Sequence, residues 1–338
     1  MSVSGPQADT PTEVESPTTD QGSQIRGMSP RQLAVSRFRR DTGSMIAGGV
    51  VLLFMLLAVL APILTKMKIL RPYTFNSDKL DVNNGSVPKG ALGGISWSHP
   101  FGLTPGTGTD VMSRLIMGMT FSISIALLAA LLTVALGTVI GIIAGSSGKW
   151  VDAIIGRIID MTLSFPQTLM LLALSSTLIY QLERLGVPKG NFARATYLIL
   201  VLAAFGWPSF ARIVRGQVLS LREREFVEAA HVFGASQARI WFKEMLPNLW
   251  APILVYFTLT MPAYISAEAA LSFLGVGVKP PTPTLGNILS DATTYYDSDF
   301  AYFIIPAFVL ATVVVSFNLL GDGLRDALDP KADRGSDP

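Results

Sequence analysis

Residues Arg222–Asn248 read REREFVEAAHVFGASQARIWFKEMLPN, a charged amphipathic stretch set between long hydrophobic runs, and its reading decides the rest. Phe226, Ala230 and Phe233 recur at i, i+4 and i+7, one apolar stripe of a helix, with Arg222, Glu223, Arg224, Glu225 and Glu228 largely off it. Gly234 falls where a chain turning between two helices needs positive φ, and Ser236 is placed to cap the second of them. The second half repeats the spacing with Ala238, Trp241, Phe242 and Met245, and Pro247, which lacks an amide donor, closes it. The expectation is helix, glycine corner, helix, proline stop.

The surroundings place this corner at a membrane. Half of the 338 residues are hydrophobic and only 15% are charged, which removes the chain from the soluble globular class. A net charge of +2 without a basic, aromatic-interleaved run gives no nucleic-acid footprint. There is no cysteine, hence no disulfide and no thiolate metal site, and His99 and His231 are too far apart in sequence to suggest a metal centre.

Working outward, residues 1–27 are rich in Ser, Thr, Pro, Gln and acids and read as a disordered tail. Arg31, Arg37, Arg39 and Arg40 precede an uncharged run, Thr42 to Thr65, long enough to cross a hydrocarbon core and too late in the chain for a cleaved signal. Lys66 to about Arg114 is polar and dense in Gly, Pro and Asn, an aqueous loop despite Trp97 and Phe101. A second span covers Leu115 to Gly148, where Gly137, Gly141 and Gly145 at four-residue spacing form a helix-packing face. Further spans are expected at about 151–182, with Pro166 as a kink, 195–214, 249–274 and 300–320. Six crossings put both termini on one side. Arginine clusters before the first span and after the fourth make that side, and the corner, cytoplasmic. The fold class is an all-α integral membrane protein with six transmembrane helices.

Chemistry is sparse. Gly148-Lys149 is followed by Trp150 and lacks the upstream glycine of a phosphate-binding loop, and no His-Glu-x-x-His or Gly-x-Ser-x-Gly occurs, so no catalytic residue is assigned. Arg157 and Asp160, one turn apart, read as a neutralising pair near the aqueous boundary. Glu268, a lone acid inside the fifth span, either lines a translocation path or serves helix packing.

Glu228-Ala229-Ala230, Gly234 and the terminal Leu246-Pro247 resemble the EAA loop of ABC importer permeases, although Glu244 stands where that pattern often has Ile. Glu268-Ala269-Ala270-Leu271-Ser272-Phe273-Leu274-Gly275, Pro280-Pro281-Thr282-Pro283 and Asn318 to Asp326 resemble the C-type subunit of dipeptide and oligopeptide permeases. The stretch Phe101 to Leu115 is similar to that family's signature before its second span, with Thr109 where an arginine is usual. The resemblance implies the type I permease fold and a bacterial inner-membrane subunit without an ATPase site of its own. It also implies a homologous second permease chain, two ATPase subunits carrying ATP and Mg, and an extracytoplasmic substrate-binding protein. The cargo would be di- or oligopeptides, with nickel chelates, glutathione or oligosaccharides served by the same pattern; an ion-driven secondary transporter is the rival class. Phe226, Glu228, Ala229, Ala230, Phe233, Gly234, Leu246 and Pro247 would then couple to the ATPase. The chain divides into a cytoplasmic tail (1–27), an amphipathic segment with the first span (28–65), an extracytoplasmic loop (66–114), a permease core with coupling helices at 222–246 (115–325) and a cytoplasmic tail (326–338).

Overall fold

The computed structural model of the chain describes residues 30–328, so the expected tail at 1–27 lies outside the described residues. Helix α1 (Pro30–Arg40) leads into α2 (Thr42–Lys66), whose N-terminus is capped by Asp41 accepting from the Gly43 amide at 3.1 Å. At 25 residues α2 is about 37 Å long, enough to cross a bilayer core. It leaves Ile46, Leu52, Leu53, Leu56 and Val59 exposed, an apolar surface suited to lipid.

Residues 67–110 form a folded cap rather than an open loop. A short antiparallel hairpin pairs β1 (Leu80–Asp81) with β2 (Val87–Pro88). Gly102 lies against the Gly93 carbonyl so closely that a Cβ there would sit 2.4 Å from the oxygen, and Leu103 donates to the same oxygen at 3.0 Å. Trp97, by contrast, is fully exposed. Asp110 caps the next helix, accepting from the Ser113 amide at 2.8 Å.

That helix, α3 (Val111–Ser146), is packed against α7 (Asn191–Leu221). Gly137, Gly141 and Gly145 meet Phe210, Val214 and Val218, and a Cβ on any of the three would lie 2.7–2.9 Å from those side chains. Residue numbers rise together along this contact, so α3 and α7 are parallel, and the chain between them must return across the bundle. It does so in three pieces, α4 (Lys149–Ser164), α5 (Gln167–Ala173) and α6 (Ser175–Arg184), running antiparallel to α7. Asp152 pairs with Arg215, Asp160 with Arg212, and Leu171 accepts from the Tyr197 hydroxyl.

Two expectations are corrected here. The third span is not one kinked helix. Phe165 before Pro166 is extended (ψ 132°), the conformation a following proline's ring favours, and α4 ends there. Among the described residues five helices are long and apolar enough to cross a membrane as single helices. The Arg157–Asp160 pair does not form either: Asp160 turns to Arg212 of α7, 2.6 Å away.

Helix α10 (Trp250–Phe273) runs antiparallel to α7, with Phe210 stacked on Tyr256 at 4.3 Å. The Tyr264 hydroxyl bridges Thr133 (2.8 Å) and the Leu202 carbonyl (3.1 Å), joining α3, α7 and α10. A short α11 (Leu285–Ala292) tucks beneath the cap, and α12 (Phe300–Leu328) returns alongside α2. Helix α12 extends past Arg325, so the first residues assigned to a C-terminal tail at 326–338 are helical. Both ends of the described chain lie at the end of the bundle where α3 finishes; the cap closes the other.

Candidate functional site

The stretch after α7 builds a corner at that first end. Helix α8 (Glu225–Val232) places Glu225 and Glu228 in its first turn, where the helix dipole favours acids. It ends in a Schellman turn: Gly234 N–H bonds the His231 carbonyl and Ala235 N–H bonds the Ala230 carbonyl, both at 3.0 Å. Gly234 has φ +74°, the left-handed value that such a turn requires. Ser236 then accepts from the Arg239 amide at 3.4 Å to start α9 (Gln237–Arg239).

The segment after α9 departs from the expected proline stop. Ile240–Met245 is a π turn, Leu246–Leu249 a 3-10 turn, and the chain runs on into α10. Pro247 cannot donate to a carbonyl four residues back, and the wide and then tight turns absorb that deficit without ending the helix. The corner is therefore continuous with the helix that crosses the bundle.

The buried face also differs from the expected stripe. Val227, Ile240, Met245 and Leu249 are wholly buried with Val214 and Val218 of α7 in a second core, and Ala230, Trp241 and Leu246 pack against it. Phe226 and Phe233 point outward, Phe233 being 89% and the adjoining Val232 80% exposed. Glu228, Ala229, Gly234 and Pro247 are exposed as well. Sequence reading missed Val227 and Ile240. The i, i+3 spacing of Val227 and Ala230 was one available signal; the five-residue spacing of Ile240 and Met245 was hidden because it fits only a π turn.

Glu268 sits elsewhere. It is fully buried and accepts from the Ser122 hydroxyl at 2.6 Å and the Ser272 hydroxyl at 2.7 Å, while Ser122 accepts from the Leu285 amide at 3.0 Å. The acid thus knits α3, α10 and α11 together. A separate recess of about 480 Å³ opens at the break after α4, lined by Thr162, Phe165 and Gln167 with Ser209, Tyr256 and Thr260. It offers hydroxyls, an amide and aromatic faces but no charge.

Set beside known proteins, residues 137–334 match the family described as binding-protein-dependent transport system inner membrane component, and residues 29–86 match the N-terminal transmembrane domain of oligopeptide transport permease C. The chain is 35% identical over 308 residues to the dipeptide transport system permease protein DppC of Alkalihalophilus pseudofirmus, covering 91% of this chain and 92% of that one. It is 36% identical over 301 residues to the oligopeptide transport system permease protein OppC of Bacillus subtilis, covering 88% of each. Among solved structures, an inward-facing form of the MetNI methionine ABC transporter aligns with a TM-score of 0.50 at 18% identity, over 64% of this chain and 97% of that one, a likeness of fold.

Proposed function

The chain belongs to the family of binding-protein-dependent transport system inner membrane components, and on that premise we propose that it forms half of the path of a peptide importer and couples it to cytoplasmic ATPase subunits at the Gly234 corner. The observation that carries this is the division of α8: Val227 anchors it in a core shared with α7 and α10, while Phe226, Val232 and Phe233 face outward. Large apolar groups exposed on a pinned helix are what a partner's groove needs.

In this reading two ATPase subunits hold ATP and Mg, a homologous second permease supplies the other half of the path, and an extracytoplasmic binding protein delivers di- or oligopeptides. Both termini and the corner are cytoplasmic, the cap is extracytoplasmic, and α4–α6 make a sixth, broken crossing. Closure of the ATPase pair pushes α8, and the second core passes the displacement to α3, α7 and α10 as rigid elements. The uncharged recess at the α4–α5 break suits a peptide backbone, whose amides need hydrogen-bonding partners but no counter-ion.

The test is to reconstitute the complex with Phe233→Asp, which places a carboxylate where the groove expects an apolar ring. Insertion should persist, while ATPase binding and stimulated uptake of a labelled peptide collapse. Wild-type values of both would refute the docking role. Competition of peptide uptake by unlabelled di- and tripeptides, and not by glutathione, nickel chelates or oligosaccharides, tests the cargo. Because the chain has no cysteine, Val82→Cys and Lys243→Cys should label with an impermeant reagent from opposite sides; labelling of both from outside would overturn the orientation.

A further inference from the structure

Where α2 leaves the bundle at the cap end, the chain builds a cationic cavity that neither coupling nor peptide passage uses. About 340 Å³ in volume, it is lined by Lys68, Arg71, Lys79, His99, Asp110 and Ser113, among others. Its charges are held in place by specific bonds. Arg71 donates its Nε to the Lys68 carbonyl at 3.2 Å and its amide to the Ser113 hydroxyl at 3.1 Å, which fixes the backbone of 68–71 against the start of α3. Lys79 Nζ lies 2.9 Å from His99 Nε2, and His99 Nδ1 lies 2.9 Å from Asp110.

The one acid lining the cavity is already engaged, since Asp110 binds His99 and caps α3 through the Ser113 amide. Among the described residues, Lys68, Arg71 and Lys79 make no ion pair with an acid. Three exposed cations around one recess attract an anion, and neither Asp78 nor Asp81 of the cap pairs with any of them.

The surroundings select which anion. Lys66 is the last residue of α2, so Lys68 and Arg71 stand where the helix emerges from hydrocarbon. Met67, Ile69 and Phe75 interleave with them and are each more than 60% exposed. Apolar side chains beside basic ones at this depth match a glycerophospholipid, whose phosphate lies at the interface above its acyl chains. The geometry points to a binding site for the phosphate of an anionic phospholipid, its head in the Lys68–Arg71–Lys79 cavity and its chains along Met67 and Ile69. This site depends on α2 being a span, not on the cargo or the ATPase reading.

The test uses the purified, delipidated full-length chain, titrated with phosphatidylglycerol and followed by native mass spectrometry. One tightly retained lipid per chain is expected, with affinity falling at least about tenfold in Arg71→Ser/Lys79→Ser. Diacylglycerol, which lacks the phosphate, and glycerol 3-phosphate, which lacks the chains, should each bind far more weakly. Equal binding of glycerol 3-phosphate would mean a soluble anion is the occupant, and equal retention of phosphatidylglycerol by the variant would remove the site; either overturns the proposal. Should the double variant not fold, Lys68→Ser, at an exposed side chain without a hydrogen bond, and cross-linking of a diazirine-tailed phosphatidylglycerol to the wild type decide. Label confined to residues 67–79 supports the site, and label elsewhere with none there refutes it.

Discussion

Substitutions at Gly234 separate backbone strain from contact. The residue sits at φ +74°, and a Cβ built there meets nothing within 4 Å. Any cost within the chain is therefore conformational. An L-residue in this region costs on the order of 1 kcal/mol, a β-branched one about 2, and Asn much less. Since about 1.4 kcal/mol is a tenfold change in an equilibrium, Ala should lower the equilibrium constant for the intact corner about fivefold relative to glycine and Val by up to about thirtyfold. Two Schellman hydrogen bonds, at Gly234 and Ala235, depend on that geometry. In a reconstituted complex, ATP hydrolysis stimulated by loaded binding protein should follow the order Gly, Asn, Ala, Val, with Asn within about twofold of wild type and membrane insertion unchanged throughout. Wild-type stimulation in Gly234→Val would show that the corner's geometry is not what the partner reads. Asn as damaging as Val would show that the partner packs directly on Gly234, and strain would no longer be the explanation.

Leucine at Gly141, where a Cβ would lie 2.7 Å from Val214 Cβ, should force α3 from α7 at a cost of at least about 1–3 kcal/mol, seen as early unfolding in fluorescence-detected size exclusion. Leucine at Gly156, inside α4 and with nothing within 4 Å, should instead fit without a clash and leave stability unchanged or raised by up to about 0.8 kcal/mol in the same assay. Glu268→Gln keeps an acceptor for one serine hydroxyl and offers the other an amide N–H to accept from, and should cost about 1 kcal/mol or less, whereas Glu268→Leu strands both and should cost about 2–4. Gly102→Ala, with its Cβ 2.4 Å from the Gly93 oxygen, should open the cap to limited proteolysis between residues 67 and 110 while leaving the helices resistant.

The long helices were legible from their apolar runs: α2, α3 and α12 each contain an uncharged stretch longer than the hydrocarbon core, α7 and α10 have theirs cut shorter by Arg212 and Glu268, and all five overlap their expected spans. The break at Pro166 was not legible from proline content, since Pro62, Pro208, Pro262 and Pro306 all sit inside continuous helices. The difference is packing. A proline removes one interior hydrogen bond, and α7, α10 and α12 are held by eight or more buried residues each, whereas α4 buries only Ile159. Glu268 likewise looked solitary because Ser122 is 146 residues away, although its other partner, Ser272, lies one helical turn on and was legible. At the corner, a 3.6-residue period was assumed across a π segment, which misplaced the buried face onto Ala238 and Phe242.

These same details constrain how a push at α8 can travel. Three glycines interlock α3 with α7 at distances no side chain could enter, so that pair moves as one body of roughly 54 Å along α3. Helix α3 also reaches from the corner to the cap, where Asp110 caps it and its Arg114 lies 3.2 Å from Thr104. On the proposed coupling, a displacement entering through Val227 would be carried toward the cap by this pair. Relative movement is left to α4, which is joined to the pair by two aspartate–arginine contacts that can be remade and buries only Ile159. Those exchangeable bonds lie on α4, whose last turn lines the recess at the α4–α5 break, which is where a path that opens and closes would have to give.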